Sequence, residues 1–161
     1  MRSVSIILCL LAMPVQAQEY QTPSDYAPVE AYLTAELHQC FRQTRSYHGD
    51  LACGNQLYNA CTRIAPDGDT TAGLAICGGV LSNVLDRSLN DVWADLRRGM
   101  SPADFEGLLG KQRNWLAYRT SESKAATQRN AGGSMSAYSG WIKYVDLSAE
   151  RLARLREMVR E

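Results

Sequence analysis

Gly132-Gly133-Ser134-Met135 sets a serine hydroxyl behind two glycines, a pattern that suits a nucleophile beside exposed backbone amides. A serine nucleophile needs a base held against it. The only two histidines, His38 and His48, lie far back in the N-terminal third. No Gly-x-Ser-x-Gly elbow surrounds Ser134 either. The better reading is a helix end closed by glycines at positive φ, with Ser134 capping the helix that follows. His38 is expected on a polar helix face and His48 in a turn, with no His/Cys/Asp cluster at metal-ligand spacing. Paired carboxylates for glycoside hydrolysis do not stand out among the surface acids. These residues therefore assign no catalytic group, cofactor or metal, and a hydrolase is disfavoured.

A second set is richer. Gln112, Trp115 and Arg119 recur at helical spacing on the same face as Phe105, Leu108 and Leu116. Polar groups on an apolar stripe need partners. In an antiparallel hairpin, facing residues are equidistant from the turn, which pairs Asp86 with Arg113 and Arg119 with Asp146 as ion pairs that set register. Arg119 also falls one helical turn after Trp115, in reach of its ring. A ligand-reading surface for an acidic group is the rival role for these arginines.

The elements that carry these residues are helical, since apolar residues recur with helical period and strand-like alternation is missing. The first helix is predicted over about Pro28–Gln43, with Val29, Tyr32, Leu33, Leu37 and Cys40 inward. Thr44–Asp50 follows as a polar turn, then a helix over Leu51–Ile64, closed by Pro66-Asp67-Gly68-Asp69. A third helix runs from Thr70 or Thr71 to about Met100, with Gly78-Gly79 inside it as a kink or a close helix contact. Ser101-Pro102-Ala103-Asp104 is a strong start for a fourth, to about Arg129. The last places Trp141, Val145, Ser148, Leu152, Leu155 and Val159 on one stripe. The fold class is all-α, an antiparallel bundle of about five helices, and 161 residues make one globular unit.

Residues 1–17 are expected to be a signal peptide: Arg2, an apolar run of about ten residues to Met13 where a span needs roughly twenty, then Val15-Gln16-Ala17 as the cleavage site. No membrane insertion is expected after cleavage. Cys9 leaves with this segment, and Cys40, Cys53, Cys61 and Cys77 remain for an oxidising compartment. Cys53 and Cys61 share a predicted helix about 12 Å apart, too far for a bridge. The hairpin midpoints favour Cys40–Cys53 with Cys61–Cys77 over Cys40–Cys61 with Cys53–Cys77.

Seventeen Lys and Arg balance seventeen Asp and Glu, which argues against a nucleic-acid partner. The distribution is uneven: residues 18–70 are net acidic and the remainder net basic.

Several motifs go beyond generic helix: Asp86-x-x-Leu89-Asn90-x-x-Trp93, Gln112-Arg113-x-Trp115-x-x-Tyr118-Arg119, Gly132-Gly133-Ser134, and Leu147-Ser148-x-x-Arg151. As a set they resemble the LprI-like domain, a family of small secreted helical proteins named after a lysozyme inhibitor. The resemblance covers about Leu74–Leu155, and the segment with Cys40, Cys53 and Cys61 is similar to an extension of some exported members. It divides the chain into the leader, an N-terminal helical hairpin over 18–70 and the LprI-like domain over 71–161. Relatives carry two further cysteines where this chain has Ser123 and, approximately, Lys143, so its last hairpin lacks a staple. The resemblance implies an exported, periplasmic or secreted, non-enzymatic protein that binds another protein, a lysozyme in the first instance. A structural or envelope-stress protein without a dedicated ligand is the alternative. An acidic face over 18–70 would suit a basic lysozyme.

Overall fold

The computed structural model describes residues 19–160; the expected leader, with Cys9, lies outside them. After a 3-10 turn at Ser24–Tyr26 come five helices: α1 (Ala27–Gln43), α2 (Tyr47–Ile64), α3 (Thr71–Gly99), α4 (Pro102–Arg129) and α5 (Ser136–Arg160). Among the described residues there is no strand.

The helix starts follow from side chains that take up orphan backbone amides. Thr70 Oγ1 accepts from the Gly73 amide at 2.9 Å, and Ser101 Oγ accepts from the Asp104 amide at 3.2 Å with Pro102 in the first turn. Ser46 Oγ does the same for Gly49. This cap begins α2 four residues before the predicted Leu51, so the expected Thr44–Asp50 turn contracts and His48 is an exposed member of a helix.

Ser134 is not a cap. The α4–α5 connection continues through successive turns to Met135, and α5 starts at Ser136. Only Gly132 has a positive φ, +82°, while Gly133 does not.

Consecutive helices are antiparallel, so α5 runs alongside α3 in the same direction. Gly78 makes that contact possible: a Cβ there would lie 2.4 Å from Cβ of Trp141. Gly78 is thus a close helix contact, and Gly79 a close approach of the Tyr20 ring, within an unbroken α3. The core joins Leu33 and Leu37 of α1, Val80, Leu81, Val84 and Leu85 of α3, and Leu152 and Leu155 of α5. Two expected core residues face outward, Tyr32 and Val159, each 47% exposed.

Covalent links tie the N-terminal half to this core. Cys40–Cys53 joins α1 to α2 and Cys61–Cys77 joins α2 to α3, each with Cα atoms 5.8 Å apart. The equidistance argument gave this pairing because each bridge spans one short hairpin.

Candidate functional site

The polar residues of the central motifs converge where α3, α4 and α5 meet. Arg119, 3% exposed, donates through Nη1 to Asp86 Oδ1 at 2.5 Å and to Ser148 Oγ at 2.9 Å. Tyr144 donates its hydroxyl proton to Asp86 Oδ2 at 2.6 Å. The guanidinium carbon of Arg119 lies 3.9 Å from the Tyr144 ring centroid and 4.7 Å from that of Trp115, within cation–π range. Helical spacing explains the grouping. Trp115 and Arg119 are four apart on α4, as Tyr144 and Ser148 are on α5, and each pair presents one face. Arg151, one further step along α5, donates from Nε to Gln112 Oε1 at 2.9 Å and lies 5.7 Å from the Trp115 centroid.

Burial raises the Tyr144 phenol well above its ordinary value, and the adjacent Asp86 carboxylate adds to it. Burial likewise lowers Arg151, helped by the neighbouring charge of Arg154. Both oxygens of Asp86 are occupied by protein donors. The cluster joins three helices through one carboxylate, held on one oxygen by Arg119 and on the other by Tyr144.

The expected ion pairs need correcting. Asp86 meets Arg119 instead of Arg113, and Arg113 is exposed. Asp146 is exposed on α5, with Lys143 rather than Arg119 as its charged neighbour. The equidistance rule treats helices adjacent in sequence as facing each other directly. Here Ser148 and Tyr144 of α5 complete the contact between α3 and α4, so the long Arg119 side chain reaches a carboxylate that the rule gave to Arg113.

The other motif residues divide by exposure. Trp93 is half-buried against Phe105, ring centroids 5.0 Å apart. Asn90 and Tyr118 face outward, Tyr118 with 52% exposure. Gly132, Gly133 and Ser134 are exposed at the end of the α4–α5 hairpin, far in sequence from the exposed His38 and His48.

Two further polar groups had no signal in the motifs. Asp50 on α2, 1% exposed, accepts from Arg160 Nη1 at 2.5 Å and from Thr44 Oγ1 at 2.5 Å, with Arg156 Nε 3.2 Å away. Burial pushes its pKa up, but these hydrogen bonds and the two arginines outweigh it and leave the carboxyl below its usual range. Asn83 on α3 accepts from the Tyr20 amide and donates to the Tyr20 carbonyl, both at 2.8 Å. That clasp seats the segment before α1, and Arg87 joins it by pairing with Glu19 and Glu30. The acidic N-terminal face is consequently weaker than composition implies, since Asp50 and Glu30 meet arginines from α5 and α3.

Among the described residues, no group of three or more His, Cys, Asp or Glu could hold a metal ion, and no helix is long and apolar enough to cross a membrane. Comparison with known families finds a match to the model described as "Lysozyme inhibitor LprI" over residues 61–158. No curated protein and no solved structure matches the chain.

Proposed function

The chain belongs to the lysozyme inhibitor LprI family, and from that premise we propose that it is exported and acts by binding and inhibiting a lysozyme. The match over residues 61–158 carries this reading. It spans the three helices that meet at Asp86, Arg119 and Tyr144. The structure supports a binding role over a catalytic one in a specific way. Asp86, Arg119 and Arg151 of the central motifs are engaged between helices, while Arg113 and Tyr118 stay on the outer surface that would meet a partner. The signal peptide over residues 1–17, the N-terminal hairpin over 18–70 and the domain over 71–161 remain part of this proposal. The two disulfides suit an oxidising periplasmic or extracellular setting.

The test is a lysis assay. Oxidised protein beginning at Gln18 is titrated into a lysozyme acting on cell-wall substrate. Dose-dependent loss of lysis at micromolar protein is the expected result. Undiminished lysis across lysozymes of different structural classes would remove the inhibitor reading and favour a structural envelope protein.

A further inference from the structure

We infer that the tip of the α4–α5 hairpin, from Arg129 to Met135, is the part of the molecule that enters the sugar-binding cleft of the lysozyme; this rests on the inhibitor reading above. The tip is the connection between two long helices and is exposed throughout. Gln128–Met135 are eight consecutive exposed residues, the longest such run among the described residues. They include Met135, a large apolar side chain left 38% exposed.

The tip is also narrow. Gly140 lets α5 close onto α4 at the neck of the hairpin, where a Cβ would fall 2.1 Å from Thr127 Oγ1. Ser136 Oγ donates to the Thr127 carbonyl at 3.0 Å, and Asn130 Nδ2 donates to Ser139 Oγ at 2.9 Å. These bonds hold the turn in place before any partner arrives, so little freedom is lost on binding. Beyond the neck, Ser134 makes no hydrogen bond among the described residues, and no atom lies within 4 Å of the space a side chain on Gly132 would enter. The fold makes one demand there, the positive φ of Gly132. The hydroxyl and the apolar side chain beside it have no internal task.

Charge points the same way. Lys124 and Arg129 are the sole charged residues between Ser123 and Ile142, both exposed and in no salt bridge among the described residues. Asp67 and Asp69, on the α2–α3 turn at the same end of the bundle, belong to a separate element and are accompanied by Arg63. A lysozyme's sugar-binding cleft is concave and carries two catalytic carboxylates about 5 Å apart. A slim, preorganised tip with an arginine, a free hydroxyl and a methionine complements such a cleft in shape and in sign. The N-terminal face carries less free negative charge than its composition implies, because Asp50 and Glu30 are paired with arginines.

The experiment compares wild-type protein, R129E, S134E and a control, E36K on the exposed face of α1, in lysozyme inhibition and thermal melting. The inference expects R129E and S134E each to weaken inhibition at least tenfold with melting temperatures unchanged. E36K should inhibit like wild type, and a chitooligosaccharide occupying the cleft should displace the wild-type protein. Full inhibition by both tip variants, or binding indifferent to the oligosaccharide, would overturn the tip assignment while leaving the inhibitor reading intact. A wild-type protein that fails to inhibit would overturn both.

Discussion

Arg119 on α4 reaches Asp86 on α3, thirty-three residues away, at 2.5 Å, and Tyr144 of α5 holds the other oxygen of the same carboxylate. One pair, with Arg119 buried and Asp86 half-buried, thus joins three helices, and removing either partner strands the other's charge.

Replacing Arg119 by methionine should destabilise the protein by about 3 kcal/mol, the scale for breaking a buried pair. For a chain of this size that lowers the melting temperature by roughly 10 °C. Adding D86N in the same chain should recover part of the loss, because the stranded charge is gone. Thermal melts of the two single variants and the double variant check this. Additive losses would show that the two residues do not act as a pair.

The two disulfides should stabilise to a similar degree, since they close loops of similar length, with sequence separations of 13 and 16. Chain entropy puts each near about 3 kcal/mol. Replacing both cysteines of either bridge by alanine should lower the denaturation midpoint comparably. Reduction of the native protein should destabilise it by more than either pair alone.

Asp50 makes stability sensitive to acid. Its folded-state pKa is depressed despite burial, by Thr44, Arg160 and Arg156. The stabilisation is therefore present above the unfolded-state value, near about 4. It is lost as pH falls through the lower folded-state value. Denaturation midpoints between pH 6 and pH 2 should fall most steeply below about pH 4. The variant D50N should be less stable at neutral pH and show a shallower acid slope. An unchanged slope would mean that Asp50 is not the linked group.

Gly78 should tolerate no side chain. An added Cβ falls 2.4 Å from Cβ of Trp141, an atom fixed close to the α5 backbone. Either helix must shift, so G78A should cost about 2 kcal/mol despite alanine's better helix propensity. A stabilised G78A would mean that α3 and α5 are not in contact there.

Much of this architecture was legible in local chemistry. Ser101-Pro102-Ala103-Asp104 marked the start of α4, and Pro66-Asp67-Gly68-Asp69 marked the end of α2. The cysteine pairing followed because each bridge stays within one hairpin. What failed was non-local. Asp50 gave no signal because its arginines lie on α5, with Arg160 separated from it by 110 residues. Asp86 was given the wrong arginine for the same reason: Tyr144 and Ser148 complete a contact that no single hairpin contains. Tyr32 and Val159 fit their apolar stripes but lie outside the part of each stripe that α2, α3 and α5 cover. At the hairpin tip, glycines and a serine read correctly as a turn, yet nothing local showed that only Gly132 takes a positive φ or that α5 starts at Ser136, too late for Ser134 to cap it.

Residues that hold the bundle are distinct from residues that meet a partner, and one paired measurement tests that separation directly. Melting temperature and inhibition per folded molecule are recorded for R119M and R129E side by side. The account predicts a crossed result: R119M melts roughly 10 °C lower yet inhibits while folded, whereas R129E melts like wild type and loses inhibition at least tenfold. The reverse pattern, with R119M equally stable but inactive and R129E fully active, would contradict it and make the buried cluster the recognition site.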